Sequence, residues 1–126
     1  MFEVGVVGHF EAQHHLVGDF GPASQPHGHS YRIEAVVRGA RLKPDGTLLD
    51  ISLLQNALAQ LTESLNGRDL NAAPGLAEPN PTAEVLARAA HKQLSLALAD
   101  TGVSTLEVRV WESAEAFAAY AADLGR

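Results

Sequence analysis

Phe2-Glu-Val-Gly-Val-Val-Gly-His-Phe-Glu-Ala-Gln-His14 puts Phe2, Val4, Val6, Phe10 and Ala12 at even positions and Glu3, His9, Glu11 and Gln13 at odd ones. Successive side chains of an extended chain point to opposite faces, so this two-residue period predicts a strand with one face buried and one wet. His14 closes the even row and belongs to the buried face, while His15 falls on the polar one. A bulge at Gly8 would reverse that assignment, because one inserted residue moves every later side chain across the sheet.

Outward from this strand, Gly18 to Pro26 is dense in Gly, Pro, Ser and Asp and reads as a loop. A second strand follows over His29 to Arg38, with Tyr31, Ile33, Ala35 and Val37 on one face and Ser30, Arg32, Glu34 and Arg38 largely on the other. Lys43-Pro-Asp-Gly46 is a turn. Leu54, Leu58, Leu61 and Leu65 then recur at helical spacing, and Asp50 or Ser52 can cap that helix. Beyond an Asn66–Pro81 loop, Thr82 and Glu84 open a second helix whose Leu86, Ala90, Leu94 and Ala97 share a face, with Gly102 as its stop. Leu106, Val108 and Val110 alternate with Glu107, Arg109 and Trp111 in a last strand. The tail, Ala114 to Arg126, is Ala-rich and shows no period that decides its structure. The order strand, strand, helix, helix, strand predicts one α+β domain over residues 1–126, an antiparallel sheet with two helices packed on one face.

Composition narrows the function classes. The 126 residues are 46% hydrophobic and 19% charged, as in an ordinary globular domain. A net charge of −6 leaves no basic footprint for a phosphate backbone, so nucleic acid is not an expected partner. No segment approaches the roughly 18 apolar residues of a membrane helix, and the N-terminus has no basic start with a long apolar run. The expected location is cytoplasmic. There is no Cys at all, which excludes disulfides, thiolate metal sites and thiol nucleophiles.

Chemistry collects at Pro26-His-Gly-His-Ser30. In an extended chain His27 and His29 project to the same side, at a spacing one metal ion can bridge, and neutral imidazole is a good Zn²⁺ ligand. His29 continues the row of Tyr31, Ile33, Ala35 and Val37, as His14 ends its own apolar row. Three histidines without a fourth protein ligand describe an open catalytic site rather than a closed structural one. The inward row Leu106, Val108, Val110 ends in Glu112, a carboxylate where the pattern calls for an apolar residue. Burying that charge unpaired would cost several kcal/mol, so a donor-rich ligand is its expected partner.

Phe10-Glu-Ala-Gln-His14, His27-Gly-His-Ser-Tyr31, Leu49-Asp50, Leu70-Asn71, Pro81-Thr-Ala-Glu84 and Val110-Trp-Glu-Ser113 together resemble the 6-pyruvoyl tetrahydropterin synthase and 6-carboxytetrahydropterin synthase family. The resemblance runs in order over nearly the whole chain. It implies a tunnelling fold, in which subunits join their sheets around a barrel, commonly as a hexamer, with active sites between subunits. It also implies zinc held by His14, His27 and His29. On the same resemblance the pterin would be anchored by Glu112, whose two oxygens can accept from the pterin amino group and ring N–H, and by the hydroxyl of Thr82. The neighbouring position, usually another hydroxyl, is Ala83 here. A purine-like ligand would present a similar edge.

The family's reaction uses a Cys base in the loop before the His-Gly-His run, activated by an Asp-His pair. Ala23 stands at the Cys position and Asn66-Gly67 at the pair. Some relatives carry a Glu in that loop; between Leu16 and Pro26 the only acid here is Asp19, the candidate substitute base. Glu11, His9 and His15 are expected at the surface. Two functions follow from the resemblance: zinc-assisted, weakened or altered chemistry on a dihydroneopterin-like substrate, such as side-chain cleavage, or a pterin- or purine-binding module without chemistry.

Overall fold

The computed structural model describes residues 1–124; the last two residues of the Ala114–Arg126 tail lie outside the described residues. The predicted strands form as β1 (Phe2–His14), β2 (His27–Gly39) and β4 (Thr105–Trp111), and the predicted helices as α1 (Ile51–Leu65) and α2 (Ala83–Ala97). Two further strands join them, β3 (Arg68–Asp69) and β5 (Phe117–Asp123), giving a five-stranded sheet in the order β3-β1-β2-β4-β5. The sheet is mixed rather than wholly antiparallel, because β3 lies parallel to β1, with Ala12 opposite Arg68 and Gln13 opposite Asp69. The remaining pairs are antiparallel.

β1 and β2 pair in unbroken register from Phe2 opposite Gly39 to His14 opposite His27, so no bulge interrupts the chain at Gly8. Gly8 has another reason to be glycine. A Cβ there would meet Thr62 Cγ2 at 3.0 Å and Leu58 Cδ2 at 3.3 Å, where α1 lies closest to the strand. With the register intact, Val6, Phe10, Ala12 and His14 are buried and His9, Glu11 and Gln13 exposed.

α1 starts at an Asp50 cap, whose carboxylate accepts from the Ser52 N–H at 2.9 Å, and buries Leu54, Leu58, Leu61 and Leu65. α2 starts at a Thr82 cap, whose hydroxyl accepts from the Val85 N–H at 3.2 Å, and ends at Ala97, several residues before Gly102. Both helices pack against one sheet face, α1 over β1 and α2 over β4 and β5. There Ile33, Ala35, Val37, Leu106, Val108 and Val110 lose all solvent contact. Complete burial of such a side chain contributes about 1.5–3 kcal/mol, so this layer supplies the main force holding the sheet ends in place.

The opposite face is polar and charge-paired. Glu3, Arg38, Glu107, Arg109, Glu34 and Arg32 form a ladder across β1, β2 and β4, with Arg38 reaching Glu3 at 3.1 Å and Glu107 at 3.0 Å. Burial and the Arg109 and Arg38 guanidiniums act oppositely on Glu107; the hydrogen bond from Arg109 is the largest effect and holds its carboxyl below the usual carboxylate range.

Candidate metal centre

His14, His27 and His29 converge at one end of the sheet because of the β1–β2 register. His14 lies directly across from His27, and Ala12 across from His29, so three imidazoles meet on the helix-covered side of two adjacent strands. Ring centroids are 4.6 Å apart for His14 and His27, 5.0 Å for His14 and His29, and 4.9 Å for His27 and His29. One nitrogen from each falls within 4.8 Å of the others. Beneath them Tyr31 is almost fully buried and stacks on Phe10 with centroids 4.8 Å apart, a rigid apolar floor. Burial first, and the Glu112 charge second, raise the Tyr31 phenol well above its ordinary pKa, so it stays neutral.

The backbone chooses the ring tautomers. His14 Nδ1 is 2.7 Å from the Pro81 carbonyl and His27 Nδ1 is 2.8 Å from the Gln25 carbonyl. A carbonyl only accepts, so each Nδ1 carries the proton and each Nε2 of the neutral ring offers a lone pair. This is the outer-sphere support that orients metal-binding histidines. Nε2 of His14 and of His29 are buried and have no hydrogen-bond partner. Desolvation is the largest influence on His29 and lowers its pKa, with Glu112 opposing it and the other two histidines adding to it. The neutral, ligating form is thereby favoured. Two acceptor nitrogens, on His14 and His27, with the His29 ring beside them, fit a cation of imidazole preference.

Glu112 follows the inward row of β4 to the same place. Its Oε2 is 3.0 Å from His29 Nε2 and 3.9 Å from His14 Nε2, and its side chain is one-third exposed. A cleft of about 550 Å³ opens beside it, lined by His29, Arg32, Trp111, Glu112 and Ser113 among others. The size is ordinary for a small-molecule site. Trp111 forms one aromatic wall: Arg32 lies over its ring at 5.7 Å, Phe117 packs against it, and its indole N–H is buried without an acceptor.

Thr82 stands next to the carbonyl that holds His14, and its oxygen caps α2, which leaves its hydroxyl proton free to donate. Asp19 is exposed in the loop and does not line the cleft beside Glu112. That loop is held by other residues: Leu16 N–H donates to the Ala23 carbonyl at 2.9 Å, and Ser24 Oγ donates to the Gly18 carbonyl at 2.7 Å. Asn66 and Gly67 make a clamp on β1, with Glu11 N–H donating to Asn66 Oδ1 at 2.9 Å and Gly67 N–H donating to the Glu11 carbonyl at 2.6 Å. Glu11 is exposed, as expected, and His15 is half-buried.

Sequence reasoning missed the supporting carbonyls of Pro81 and Gln25, which carry no side-chain signal. A larger cavity, about 980 Å³, lies elsewhere, between α1, α2 and the 67–76 segment, and none of the three histidines lines it. The cluster of potential metal ligands, not the volume, singles out the histidine end as the candidate site.

An α+β sheet that brings together three imidazoles, two of them oriented by backbone carbonyls, and a carboxylate presents a group that could hold a metal ion. The family model described as 6-pyruvoyl tetrahydropterin synthase matches residues 3–123, and the chain belongs to that family. Its fold is shared with solved structures at low identity. The Caenorhabditis elegans 6-pyruvoyl tetrahydropterin synthase superposes with a TM-score of 0.81 at 19% identity, covering 94% of this chain and 94% of that one. The Plasmodium falciparum 6-pyruvoyl tetrahydropterin synthase gives 0.80 at 19% identity, covering 97% and 98%. A Plasmodium vivax 6-pyruvoyltetrahydropterin synthase, in a form whose catalytic glutamate is replaced by alanine, gives 0.79 at 19% identity, covering 97% and 98%. Among the described residues no helix is long and apolar enough to cross a membrane.

Proposed function

We propose that this chain is a zinc-dependent, 6-pyruvoyl or 6-carboxy tetrahydropterin synthase-like protein that binds a pterin and has weakened or altered catalysis. The observation that carries the reading is a contrast within one site. His14 and His27 are fully oriented as ligands, while the positions of the family's proton-transfer residues hold Ala23, Asn66 and Gly67.

Zinc, when bound to His14, His27 and His29, supplies Lewis acidity toward hydroxyl or carbonyl oxygens of the substrate side chain. The chain's own residues do the rest. Glu112 accepts hydrogen bonds from the pterin edge, Thr82 donates one, and Trp111 walls the cleft beside Glu112. A general base contributes typically about 10²–10⁴-fold, so its loss slows the chemistry without abolishing it. Side-chain lyase-type cleavage of a dihydroneopterin-like substrate, or slow residual turnover, is proposed ahead of the full synthase reaction. Asp19 is the candidate substitute base, and Asp19→Asn tests it: residual turnover unchanged in the variant would remove that role.

The proposal includes assembly into a homo-oligomer, a hexamer by the family resemblance, and a cytoplasmic location. The free edge of β5, with Phe117 about half exposed, supports assembly, since an unpaired strand edge is a ready template for another chain. Sedimentation analysis tests it, and a monomer at micromolar concentration would count against it.

A second reading, a non-catalytic pterin- or purine-binding module, is favoured by the Asn66–Gly67 clamp, which gives structural work to the positions that would otherwise move protons. Calorimetry with neopterin, biopterin and guanine, together with turnover of dihydroneopterin triphosphate by the zinc-loaded chain, separates the two. Binding with slow turnover supports the first, binding with no turnover the second. No binding by any of the three ends both.

A further inference from the structure

Past the ends of β1 and β3 no strand accompanies the chain, and two asparagine side chains take a strand's place. Asn71 Oδ1 accepts from the His15 N–H at 2.9 Å, and its Nδ2 donates to the His15 carbonyl at 2.9 Å. Asn80 repeats the arrangement further along, with Oδ1 accepting from the Val17 N–H at 2.8 Å and Nδ2 donating to the Val17 carbonyl at 3.2 Å. A carboxamide offers an acceptor and a donor in one plane, as a peptide group does. Each side chain therefore satisfies both backbone groups of one residue.

The two clamps differ in what is joined to them. Asn71 lies within the Leu70–Ala72 turn, and among the described residues no hydrogen bond from that turn reaches a ring of the histidine cluster. Asn80 is followed directly by Pro81, whose carbonyl lies 2.7 Å from His14 Nδ1, and then by Thr82, which caps α2. The Thr82 N–H donates to the Asn80 carbonyl at 2.8 Å, closing a tight three-residue turn around a fully buried Pro81. The carbonyl that holds His14 is thus fixed from two sides, by α2 through Thr82 and by Val17 through Asn80.

The hold is chemical as well as mechanical. Which nitrogen of a neutral imidazole carries the proton is set by its hydrogen bonds. The Pro81 carbonyl keeps the proton on Nδ1, and His14 Nε2 is buried with no hydrogen-bond partner of its own. If the carbonyl withdraws, nothing else ties the proton to Nδ1.

We propose that Asn80 is a positioning residue of the metal centre: by clamping Val17 it keeps the Pro81 carbonyl on His14, and so keeps Nε2 of that ring free to bind. This rests on the metal reading above and goes beyond it, because Asn80 contributes no atom to the candidate ligand set.

The test uses the full chain and compares wild type with Asn80→Ala, Asn80→Asp and Asn71→Ala. Heteronuclear NMR of the metal-free protein, at a pH where its imidazoles are neutral, identifies the protonated nitrogen of His14. Chelator competition measures Zn²⁺ affinity. In Asn80→Ala the proton should no longer be confined to Nδ1, and Zn²⁺ affinity should fall by roughly 10–100-fold, the usual cost of losing outer-sphere support. Asn71→Ala removes an equivalent clamp, so it should lower the melting temperature and leave both readouts unchanged. Asn80→Asp keeps the acceptor and loses the donor; it should move both readouts in the same direction, and it decides the matter if Asn80→Ala does not fold. An unchanged His14 tautomer in the Asn80 variants would overturn the proposal. So would an equal loss of affinity in Asn71→Ala, which would mark a general loosening of the sheet edge. A wild type that binds no Zn²⁺ would instead sink the metal reading, while the metal-free spectra would still decide whether Asn80 sets the His14 ring.

Discussion

The histidine end of the sheet and the Leu16–Pro26 loop beside it are a few residues apart in sequence and differ in how their side chains are held. His14 and His27 each have one ring nitrogen tied to a backbone carbonyl and the other aimed at a common point. In the loop, backbone groups and Ser24 hold the chain while Asp19, its only acid, faces solvent. The Asn66–Gly67 segment belongs with the loop in this comparison, since its polar groups are spent on β1 rather than on the cleft. The imidazoles are held in place, while the nearby acid faces solvent and the nearby amide is committed to β1.

The sharpest way to break the comparison is to remove one ligand. His27→Ala should weaken metal binding by more than the about 100-fold upper cost of an outer-sphere change, measured by chelator competition. Stoichiometric metal in that variant would place the centre elsewhere. His15→Ala is the matched control: its imidazole is outside the cluster, so affinity should stay within a factor of two or so, and loss of metal there would show the register to be wrong.

On the clamp side, Asn66→Ala should cost about 1 kcal/mol of stability through the Glu11 N–H it leaves without an acceptor, with metal affinity unmoved. A fall in metal affinity would mean that the two regions are coupled. The smallest expected effect is electrostatic and lies on the far sheet face. The Glu107 carboxyl is held below its ordinary value by Arg109 and Arg38. Its contribution is therefore complete above the ordinary glutamate pKa of about 4.3 and lost as pH falls through the lower folded value. Glu107→Gln should flatten that acid limb by about 1 kcal/mol in denaturant melts at successive pH values. An unaltered limb would show that the ladder contributes nothing net.

The rows of β1, β2 and β4 were legible because each has one buried face, and parity then carried His14, His29 and Glu112 to the same side of the sheet. β5 was not legible. Phe117-Ala-Ala-Tyr-Ala-Ala-Asp123 has alanine on both faces, and alanine favours helix, so only pairing with β4 makes it a strand. β3, at two residues, is too short to show any period. Gly8 suggested a bulge because composition cannot distinguish a kink from the close approach of a helix. The ring tautomers were hidden for a related reason: the carbonyls of Pro81 and Gln25 belong to the backbone, and only the folded chain brings Pro81 to His14.

The backbone at Gly67 sets how readily a histidine could be introduced beside Asn66. It sits at φ +75° with nothing within 4 Å of where a Cβ would be, so a histidine would have room there but the wrong backbone. A left-handed conformation costs a side-chain-bearing residue roughly 1–2 kcal/mol. Asn66→Asp would be nearly free, because a carboxylate accepts from Glu11 N–H as an amide does. The two substitutions are therefore uneven, with Asn66→Asp open and Gly67→His uphill until the turn itself is rebuilt.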